Sequence, residues 1–556
     1  MAKIRITAAA AALVIATQAA AQLAPPQVVE AETLAKDAFS TGVLGAGDNA
    51  LRADLWRESD PEMLEFLLLQ APARPATPSL GEALKRTLLT TGAAPANASP
   101  SLGGKKLLAL SRAGFVDEAN TIASLSTVGG GDPWTGQAMA IGDLLGGDTE
   151  RACRRNANLT SGRDEPFWVK LRVLCYAVAG ESDAADLTLG VLREQGALTG
   201  EEEEFLAASI TGAAPKTPPA ATSVLEFAIA RHLDWPLAPG VVKEADGGVL
   251  VALMQDNDVA PGVRIAAALE ATALGAIDAA SLRTFIEGFD FEPAMIAEAV
   301  RAAREKPNDP MTDVLLYHSV KSMTAPEFLR DKAQRVALAL GLADGFSRAY
   351  GLSLLYADEI VSLEGAVVSP DESSLFADAR MVLGDGPGAG AWLLSALSGD
   401  GVSAMSEGRA MAFIDQVNRL AILDPQTATS VARAAGVSLL APEPISTGTS
   451  ARADIGTTET ILEAAFDAAI GGKTGQAGLA ALAASNNGVD SGVPIGPVND
   501  VIVDQSLRVA GLADLQRMHA LQTAWAATFG GVTSYSAGGV AGDVGPAPRL
   551  KPRVGQ

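Results

Sequence analysis

Apolar residues recur at helical spacing through most of the chain, and two neighbouring segments, 166–180 and 181–196, show the pattern clearly. Each segment carries its apolar residues three or four positions apart, which places them on one face of an α-helix. The first stripe consists of Phe167, Leu171, Leu174 and Val178, and the second of Ala185, Leu189 and Leu192. The pattern predicts a helical hairpin, and a single hairpin cannot bury both stripes unless further hairpins stack against it.

Three markers repeat with this hairpin at a 33-residue period: a proline that opens the unit, a glycine at its fifteenth position and an alanine at its twentieth. Proline suits the first position of a helix, glycine the left-handed residue that ends one, and alanine a close crossing of two helices. The regular copies are Pro100, Gly114 and Ala119, then Pro133, Gly147 and Ala152, then Pro166, Gly180 and Ala185. More distant copies are Pro261, Gly275 and Ala280, and Pro370, Gly384 and Ala389, with a weaker one at Pro497 and Gly511 that has Gln516 in the alanine position.

The glycine and alanine markers resemble the tetratricopeptide (TPR) family of helical repeats over residues 100–198. The matching stretches are "RAGFVDEA", "LGGDTERA" and "VAGESDAA", which contain the glycine and alanine of the three regular copies. The resemblance implies an all-α fold, an α-solenoid of helical hairpins, with a concave face that holds a peptide or helix of a protein partner.

The chain has only two cysteines, Cys153 and Cys175. In the hairpin register they lie on neighbouring antiparallel helices, at equal distances from a turn near residue 164, so we expect them to face each other. A disulfide is the preferred interpretation, and its α-carbons should then be about 4.4–6.8 Å apart. Two reduced, buried thiols are the alternative. A metal site would need more ligands than two sulfurs.

Residues 1–21 resemble a secretory signal peptide. Lys3 and Arg5 precede a short apolar stretch, and Ala19 to Ala21 form a cleavage site of the A-x-A type. The apolar stretch is too short to span a bilayer, so we expect no transmembrane anchor. This leader predicts an exported protein in an oxidising compartment, most simply the bacterial periplasm.

The net charge of the whole chain is −23, and removal of the leader would make it −25. Such an acidic protein is a poor binder of nucleic acid or anionic lipid. The apolar fraction of 48% excludes global disorder, while 5% aromatic residues is low for a carbohydrate enzyme. We therefore expect a partner that is neutral or carries a cationic patch.

Composition divides the chain into segments. Pro-rich or Gly/Ser/Thr-rich stretches at 71–79, 211–223 and 441–460 are typical of linkers, and the polar end of the chain is typical of a disordered tail with three cations, Arg549, Lys551 and Arg553. The predicted order is signal peptide 1–21, N-terminal helical segment and linker 22–80, TPR-like repeats 81–210, linker 211–223, helical repeat region 224–440, linker 441–460, C-terminal helical segment 461–529 and disordered tail 530–556.

Several patterns that suggest enzymes lack their full signature. Gly472-Lys473-Thr474 has no glycine five residues before Gly472 and follows a helical pattern, which favours a helix end over a phosphate loop. "GDGPGAG" at 384–390 occupies the predicted turn between two helices. The three histidines, His232, His318 and His519, are scattered along the chain. We predict no catalytic, cofactor-binding or metal-binding residue.

Two functions are compatible with these features. The first is a non-catalytic scaffold or adaptor that binds cell-envelope proteins through its α-solenoid surface. The second is a peptidoglycan- or polysaccharide-acting enzyme on a helical toroid, which would need two carboxylates about 5–10 Å apart in a cleft with stacking aromatic residues. A deep acidic and aromatic pocket would favour the enzyme, and a shallow face of small residues would favour the scaffold.

Overall fold

The computed structural model describes residues 37–126, 131–213, 220–238, 240–398, 425–435, 456–490 and 497–528, which all belong to the unit 37–556. These residues form 27 α-helices. The first fourteen are α1 Pro61–Leu69, α2 Pro78–Leu89, α3 Ser101–Ala113, α4 Val116–Leu125, α5 Pro133–Leu145, α6 Thr149–Asn158, α7 Pro166–Val178, α8 Ser182–Glu194, α9 Gly200–Thr211, α10 Val224–His232, α11 Val241–Glu244, α12 Gly247–Gln255, α13 Pro261–Ala273 and α14 Ala279–Glu287. The others are α15 Pro293–Ala297, α16 Ala299–Glu305, α17 Pro310–Lys321, α18 Leu329–Gly341, α19 Phe346–Leu355, α20 Ala357–Ser362, α21 Pro370–Val382, α22 Gly386–Ser398, α23 Pro425–Ala434, α24 Gly456–Ile470, α25 Thr474–Asp490, α26 Pro497–Val509 and α27 Ala513–Thr528.

The all-α class is confirmed for the described residues, where β pairing is limited to one isolated bridge between Leu44 and Thr90. Most helices pack in sequential pairs. None of the described helices combines the length and the apolar content that a membrane crossing requires. The predicted signal peptide, the tail at 530–556 and most of the linker at 441–460 lie outside the described residues.

Each proline–glycine pair of the sequence repeat marks a helix of the same length. The first helices of the six hairpins, α3, α5, α7, α13, α21 and α26, each contain 13 residues. All six marker glycines have positive φ, between 74° and 103°. An L-residue with a β-carbon is strained in that region, so glycine both ends the helix and turns the chain toward the next one.

Two marker residues differ from the prediction. Pro100 precedes helix α3 as its N-cap and is not its first residue. Ala280 is exposed, whereas Ala119, Ala152, Ala185 and Ala389 are fully buried. Ala280 is exposed because the turn before its helix, α14, is longer than the corresponding turns. The second helix starts two residues after the glycine in the other five hairpins but four after Gly275, and two extra residues rotate a helical position by about 200°.

The disulfide between Cys153 and Cys175 is present, with a Cα–Cα distance of 5.5 Å. It joins α6 to α7, the facing helices of two successive hairpins. The turn between these helices, 159–165, contains the predicted midpoint. The hairpin register read from the prolines and glycines is therefore correct across this interface.

Contacts between helices far apart in the chain complement the hairpins. Helices α25 and α27 pack on α2, and α25 also packs on α1. The main apolar cluster accordingly combines residues of 38–274 with residues of 461–512, while a second cluster is centred on α13 to α22. Residues 71–79, expected to be a linker, are mostly buried, and Thr77 and Ser79, 3% and 4% exposed, contact α27 at this junction.

Candidate functional site

A cavity of about 670 Å³ lies where several hairpins meet. Its wall is built from α2, the turn between α3 and α4, the end of α5, α12, the turn between α13 and α14, and α19. Two of the marker glycines, Gly114 and Gly275, line it. The site is therefore assembled from the turns that the repeat specifies, brought together by contacts between distant parts of the chain.

Glycine allows two of these walls to approach closely. A β-carbon on Gly81 of α2 would overlap the carbonyl oxygen of Leu274 at the end of the α13 region, and one on Gly247 would overlap the carbonyl oxygen of Ala113. Backbone thus meets backbone at both places. Any larger residue would have to move a wall of the cavity.

Carboxylates dominate the charged groups of the lining. Among the described residues, Asp117, Glu118, Asp278 and Glu82 face a single cation, Lys85. Asp117 and Glu118 lie in the first turn of α4, and Asp278 caps α14 by accepting a hydrogen bond of 2.8 Å from the backbone N–H of Ser281. That hydrogen bond is the main reason why the pKa of Asp278 is lowered. These three acids are stabilised by the helix N-termini to which they belong.

Glu82 differs because it lies within α2, away from any helix start of its own. Burial raises the pKa of its carboxyl group, and the negative charges of Asp278 and Asp514 raise it further, against the attraction of Lys85 and Arg86. Within the described part of the chain it has no hydrogen-bond or ion-pair partner. A half-buried carboxylate without a partner is a site where a bound cation would be stabilised.

Tyr350 of α19 provides the main aromatic surface near Glu82. Its ring stacks on that of Phe346 at a centroid distance of 5.9 Å. Burial, together with the nearby charge of Glu82, raises the pKa of Tyr350 to about 12, so its hydroxyl stays protonated. Phe115 is the other aromatic residue of the described lining. None of the described tryptophans lines the cavity.

The sequence did not identify these cavity residues, although it contained one usable signal. An acid stands three residues after five of the six marker glycines: Asp117, Glu150, Asp183, Asp278 and Asp514. Two of them, Asp117 and Asp278, reach the cavity. All five acids lie at helix N-termini, Asp278 as the N-cap and the others in the first turn, where negative charge is stabilised. Only the long-range assembly therefore reveals which of them share a site.

Gly472-Lys473-Thr474 lies at a helix end, as expected from the sequence, whereas only the first two residues of "GDGPGAG" lie in the expected turn and residues 386–390 belong to α22. Gly472, with φ of 68°, follows the end of α24, and Thr474 begins α25. The backbone N–H of Gly475 and the hydroxyl of Thr474 both donate to the carbonyl oxygen of Leu55, at 2.8 and 3.0 Å. In "GDGPGAG", Gly384 ends one helix and Gly386 begins the next.

The histidines lie in three separate places. His232 is exposed at the end of α10, and His318 of α17 lies 3.2 Å from the carbonyl oxygen of Ile286. His519 is buried in α27, with Nδ1 2.9 Å from the hydroxyl of Thr77, and burial lowers its pKa to about 4. The described residues contain no group of three or more His, Cys, Asp or Glu side chains arranged to hold a metal ion.

Comparison of the chain with protein families, with curated proteins and with solved structures gave no match. The repeat therefore resembles the tetratricopeptide hairpin through its marker residues and its paired helices alone.

Proposed function

We propose that this protein is a non-catalytic scaffold or adaptor of the bacterial periplasm. In this proposal its hairpins form an α-solenoid surface that binds a protein of the cell envelope, and the acidic cavity receives a cationic segment of that partner. The observation that carries the proposal is Glu82, a half-buried carboxylate without a partner among the described residues, in a cavity whose described lining has four acids and one lysine. The disulfide between Cys153 and Cys175 supports an oxidising compartment.

The size and construction of the cavity also support a polypeptide ligand. A volume of about 670 Å³ can accommodate a few side chains. Its lining mixes small residues such as Gly114, Gly146 and Gly248 with charged groups near the ends of helices. Charged groups of this kind select a partner and accelerate its encounter more than they increase affinity.

Photo-crosslinking in intact cells tests this proposal. A benzoylphenylalanine replacing Asn120, an exposed residue of the lining, should form an adduct with one defined envelope protein, identifiable by mass spectrometry. The matched control replaces Leu187 of α8, which is 74% exposed and does not line the cavity. Glu82→Gln should reduce the yield at Asn120. Equal labelling at both positions, or no adduct at Asn120, would contradict the proposal.

A second candidate, a peptidoglycan- or polysaccharide-acting enzyme, is favoured by one observation. Glu82 and Asp278 line the same cavity, and their pKa values are shifted in opposite directions, as in pairs that divide the acid and base roles. The lack of a tryptophan in the described lining supports the scaffold. Incubation with purified sacculi distinguishes the two. If the natural protein releases soluble fragments and the Glu82→Gln variant does not, the protein is an enzyme and the scaffold proposal is wrong.

A further inference from the structure

The first eight described residues, 37–44, form a strap that packs against α3 and the end of α2. The backbone N–H groups of Val43 and Leu44 both donate to the carbonyl oxygen of Leu89, at 2.9 and 3.0 Å. Phe39, in the middle of the strap, is 1% exposed. The strap is therefore a short segment bound to the helices through backbone hydrogen bonds and one buried aromatic ring.

A buried lysine of α3 holds the strap from below. Lys106 is fully buried, and its Nζ donates to the carbonyl oxygens of Phe39 and Thr41, at 2.9 and 2.6 Å. These two acceptors match the two N–H bonds of a neutral amine, whereas an ammonium group has three. The ring of Phe39, 5.8 Å from Nζ, is a poor acceptor for the third. The geometry therefore favours a neutral amine while the strap is in place.

The charges near Lys106 oppose this neutral state only weakly. The negative charge of Asp37, at the start of the strap, favours the ammonium form, but the Asp37 carboxylate accepts its own hydrogen bond from the backbone N–H of Ser40 at 2.8 Å. Burial has the larger effect and lowers the pKa of Lys106 to about 7. The amine is thus neutral in mildly alkaline solution when the strap is closed.

The charged groups on the helices that pack around α3 are engaged elsewhere. Glu65 pairs with Lys105, Arg112 with Asp246, Arg86 with Asp514 and Asp143 with Arg151, and Asp132 caps α5. Glu62 is exposed, and the remaining groups line the cavity: Glu82, Lys85, Asp117 and Glu118. Asp37 is therefore the charged group of the described chain that acts on Lys106.

An exposed hinge joins the strap to the rest of the protein. Gly45, Gly47 and Asn49 are exposed, a β-carbon on Gly47 would meet no atom within 4 Å, and Asn49 has a positive φ of 57°. The chain is anchored again at Leu51, whose backbone N–H donates to the hydroxyl of Thr90 at 2.9 Å. Rotation within the hinge can release the strap without moving α3.

We propose that the strap is a pH-dependent latch, held closed by the neutral amine of Lys106 and open when that amine is exposed and takes up a proton. Opening would uncover the pocket that Phe39 fills against Trp56, where the ring centroids are 5.2 Å apart. Trp56 also contacts Gly475 of α25. The latch thus controls the cover over one side of the contact between α25 and the start of the chain, independently of the acidic cavity.

The direction of the pH dependence follows from proton binding. In the open form the exposed amine has an ordinary lysine pKa of about 10.4, whereas in the closed form the pKa of Lys106 is about 7. Between these values the open form binds the additional proton, so a lower pH favours opening. Lowering the pH from 9 to 7.5 should increase the open fraction by roughly tenfold or more. Below about pH 7 both forms are protonated and the dependence ends.

Amide hydrogen exchange of the full chain tests the latch. After correction for the intrinsic effect of pH, protection of 38–44 and 89–94 should be at least about tenfold higher at pH 9 than at pH 7.5, with no change in 166–194. Lys106→Met should remove this dependence. Lys105→Met, at the neighbouring lysine that pairs with Glu65 at 2.6 Å, is the matched control and should keep it. Equal protection of the natural strap at both pH values, or an unchanged dependence in Lys106→Met, would overturn the inference.

Acetylation of lysines in the natural chain provides a second readout that needs no variant. The reagent attacks neutral amines, so labelling of the exposed Lys243 should accelerate about tenfold per pH unit between pH 7.5 and pH 9. Lys106 reacts only after opening, and opening decreases as its neutral fraction increases. Its labelling rate, measured by mass spectrometry, should therefore change by about twofold or less. Acceleration in parallel with Lys243 would show that Lys106 is charged under the closed strap, and the inference would be wrong.

Discussion

The hairpin array, α3 to α8, and the long-range junction, where α1 and α2 meet α25 to α27, differ in what their buried polar side chains connect. In the array, helices cross at fully buried alanines such as Ala119, Ala152 and Ala185. The junction buries a set of polar side chains that are each 3–4% exposed: Thr77, Ser79, Gln476, Gln516, His519 and Gln522. The junction also buries alanines, such as Ala480 and Ala484 of α25, and the array also buries Asn156, which donates to the carbonyl oxygen of Trp168 at 2.8 Å. The distinguishing feature of the junction is therefore that its buried hydrogen bonds join helices that are distant in the chain.

The difference follows from how the helices of each interface come together during folding. Helices joined by a short turn have few ways to pair, so small residues at a close crossing are sufficient. Helices that are distant in the chain can associate in many registers, and a buried hydrogen bond penalises every register that leaves it unpaired. Gln522 shows this clearly, since it accepts from both the backbone N–H and the hydroxyl of Ser79, at 3.1 and 2.8 Å, across a separation of 443 residues.

The largest expected effect is at Gly475, in the junction. A β-carbon there would overlap the ring of the fully buried Trp56, next to the hydrogen bond from Gly475 to Leu55. Gly475→Val should lower the free energy of unfolding by about 3 kcal/mol or more. Urea denaturation measures the loss, and hydrogen exchange should locate it in 51–70 and 474–490.

Gly190 in α8 of the array is the matched control. No atom of the described residues outside its own helix turn lies within 4 Å of the position that a β-carbon on Gly190 would take. Gly190→Ala should therefore stabilise α8 by about 0.5–1 kcal/mol. If both substitutions destabilise the protein equally, the contrast between array and junction is wrong.

The second effect concerns the disulfide of the array. Replacing both Cys153 and Cys175 by serine should lower the free energy of unfolding by about 3 kcal/mol, because the bridge closes a loop of 22 residues. Hydrogen exchange should increase in 149–178. Unchanged protection at the junction is expected, and a simultaneous loss there would mean that the two regions unfold as one.

The third effect is a pH dependence specific to the junction. Burial lowers the pKa of His519 to about 4, below its ordinary value of about 6.5, so the unfolded chain binds the proton more readily. The contribution of neutral His519 to the free energy of unfolding is fully present above about pH 6.5 and is lost as the pH falls toward 4. About 2 kcal/mol of this contribution is lost by pH 5. The free energy of unfolding, measured by urea denaturation, should fall between pH 7 and pH 5, and His519→Gln should remove this part of the fall. A variant that keeps the full difference would show that His519 is not its source.

The smallest effects come from two ion pairs, one in each region. Arg193 and Glu203, 2.7 Å apart, are about half exposed, whereas Arg86 is 11% exposed in its pair with Asp514 and also donates to the carbonyl oxygen of Asn49. Arg193→Gln should cost less than about 0.5 kcal/mol and Arg86→Gln about 1 kcal/mol. Thermal denaturation at low and high salt measures both, and a larger loss for Arg193→Gln would reverse the comparison.

Sequence reasoning succeeded where a feature depends on near neighbours. The proline and glycine markers located six 13-residue helices, and the resulting register placed Cys153 opposite Cys175. It failed at Ala280, because two extra turn residues after Gly275 change which face of α14 is buried. The regular spacing of the markers contains no information about such a local insertion.

The sequence did not predict the candidate site, for a different reason. Glu82 belongs to α2 and Asp278 is the N-cap of α14, and both line one cavity because α2 and the end of α13 approach closely at Gly81 and Leu274. Nothing in the pattern of either helix indicates the other. The segment 71–79 has the prolines typical of a linker, yet it is mostly buried: Ala73 and Arg74 bond to residues of 245–270, and Thr77 and Ser79 bond to α27.

The hydrogen bond from the backbone N–H of Asp60 to the side chain of Gln476 spans 416 residues of chain, which has a consequence for biosynthesis. At about 5–20 residues per second, ribosomes need about 20–80 s to deliver the second partner after the first. The hairpins of the array depend on contacts between near neighbours, and their disulfide spans only 22 residues, so they can form in the oxidising compartment as soon as their own segment arrives there. The faces of α1 and α2 that pack on α25 and α27 stay uncovered until the last helices arrive, so a chain that stops before α24 should be a persistent substrate for chaperones.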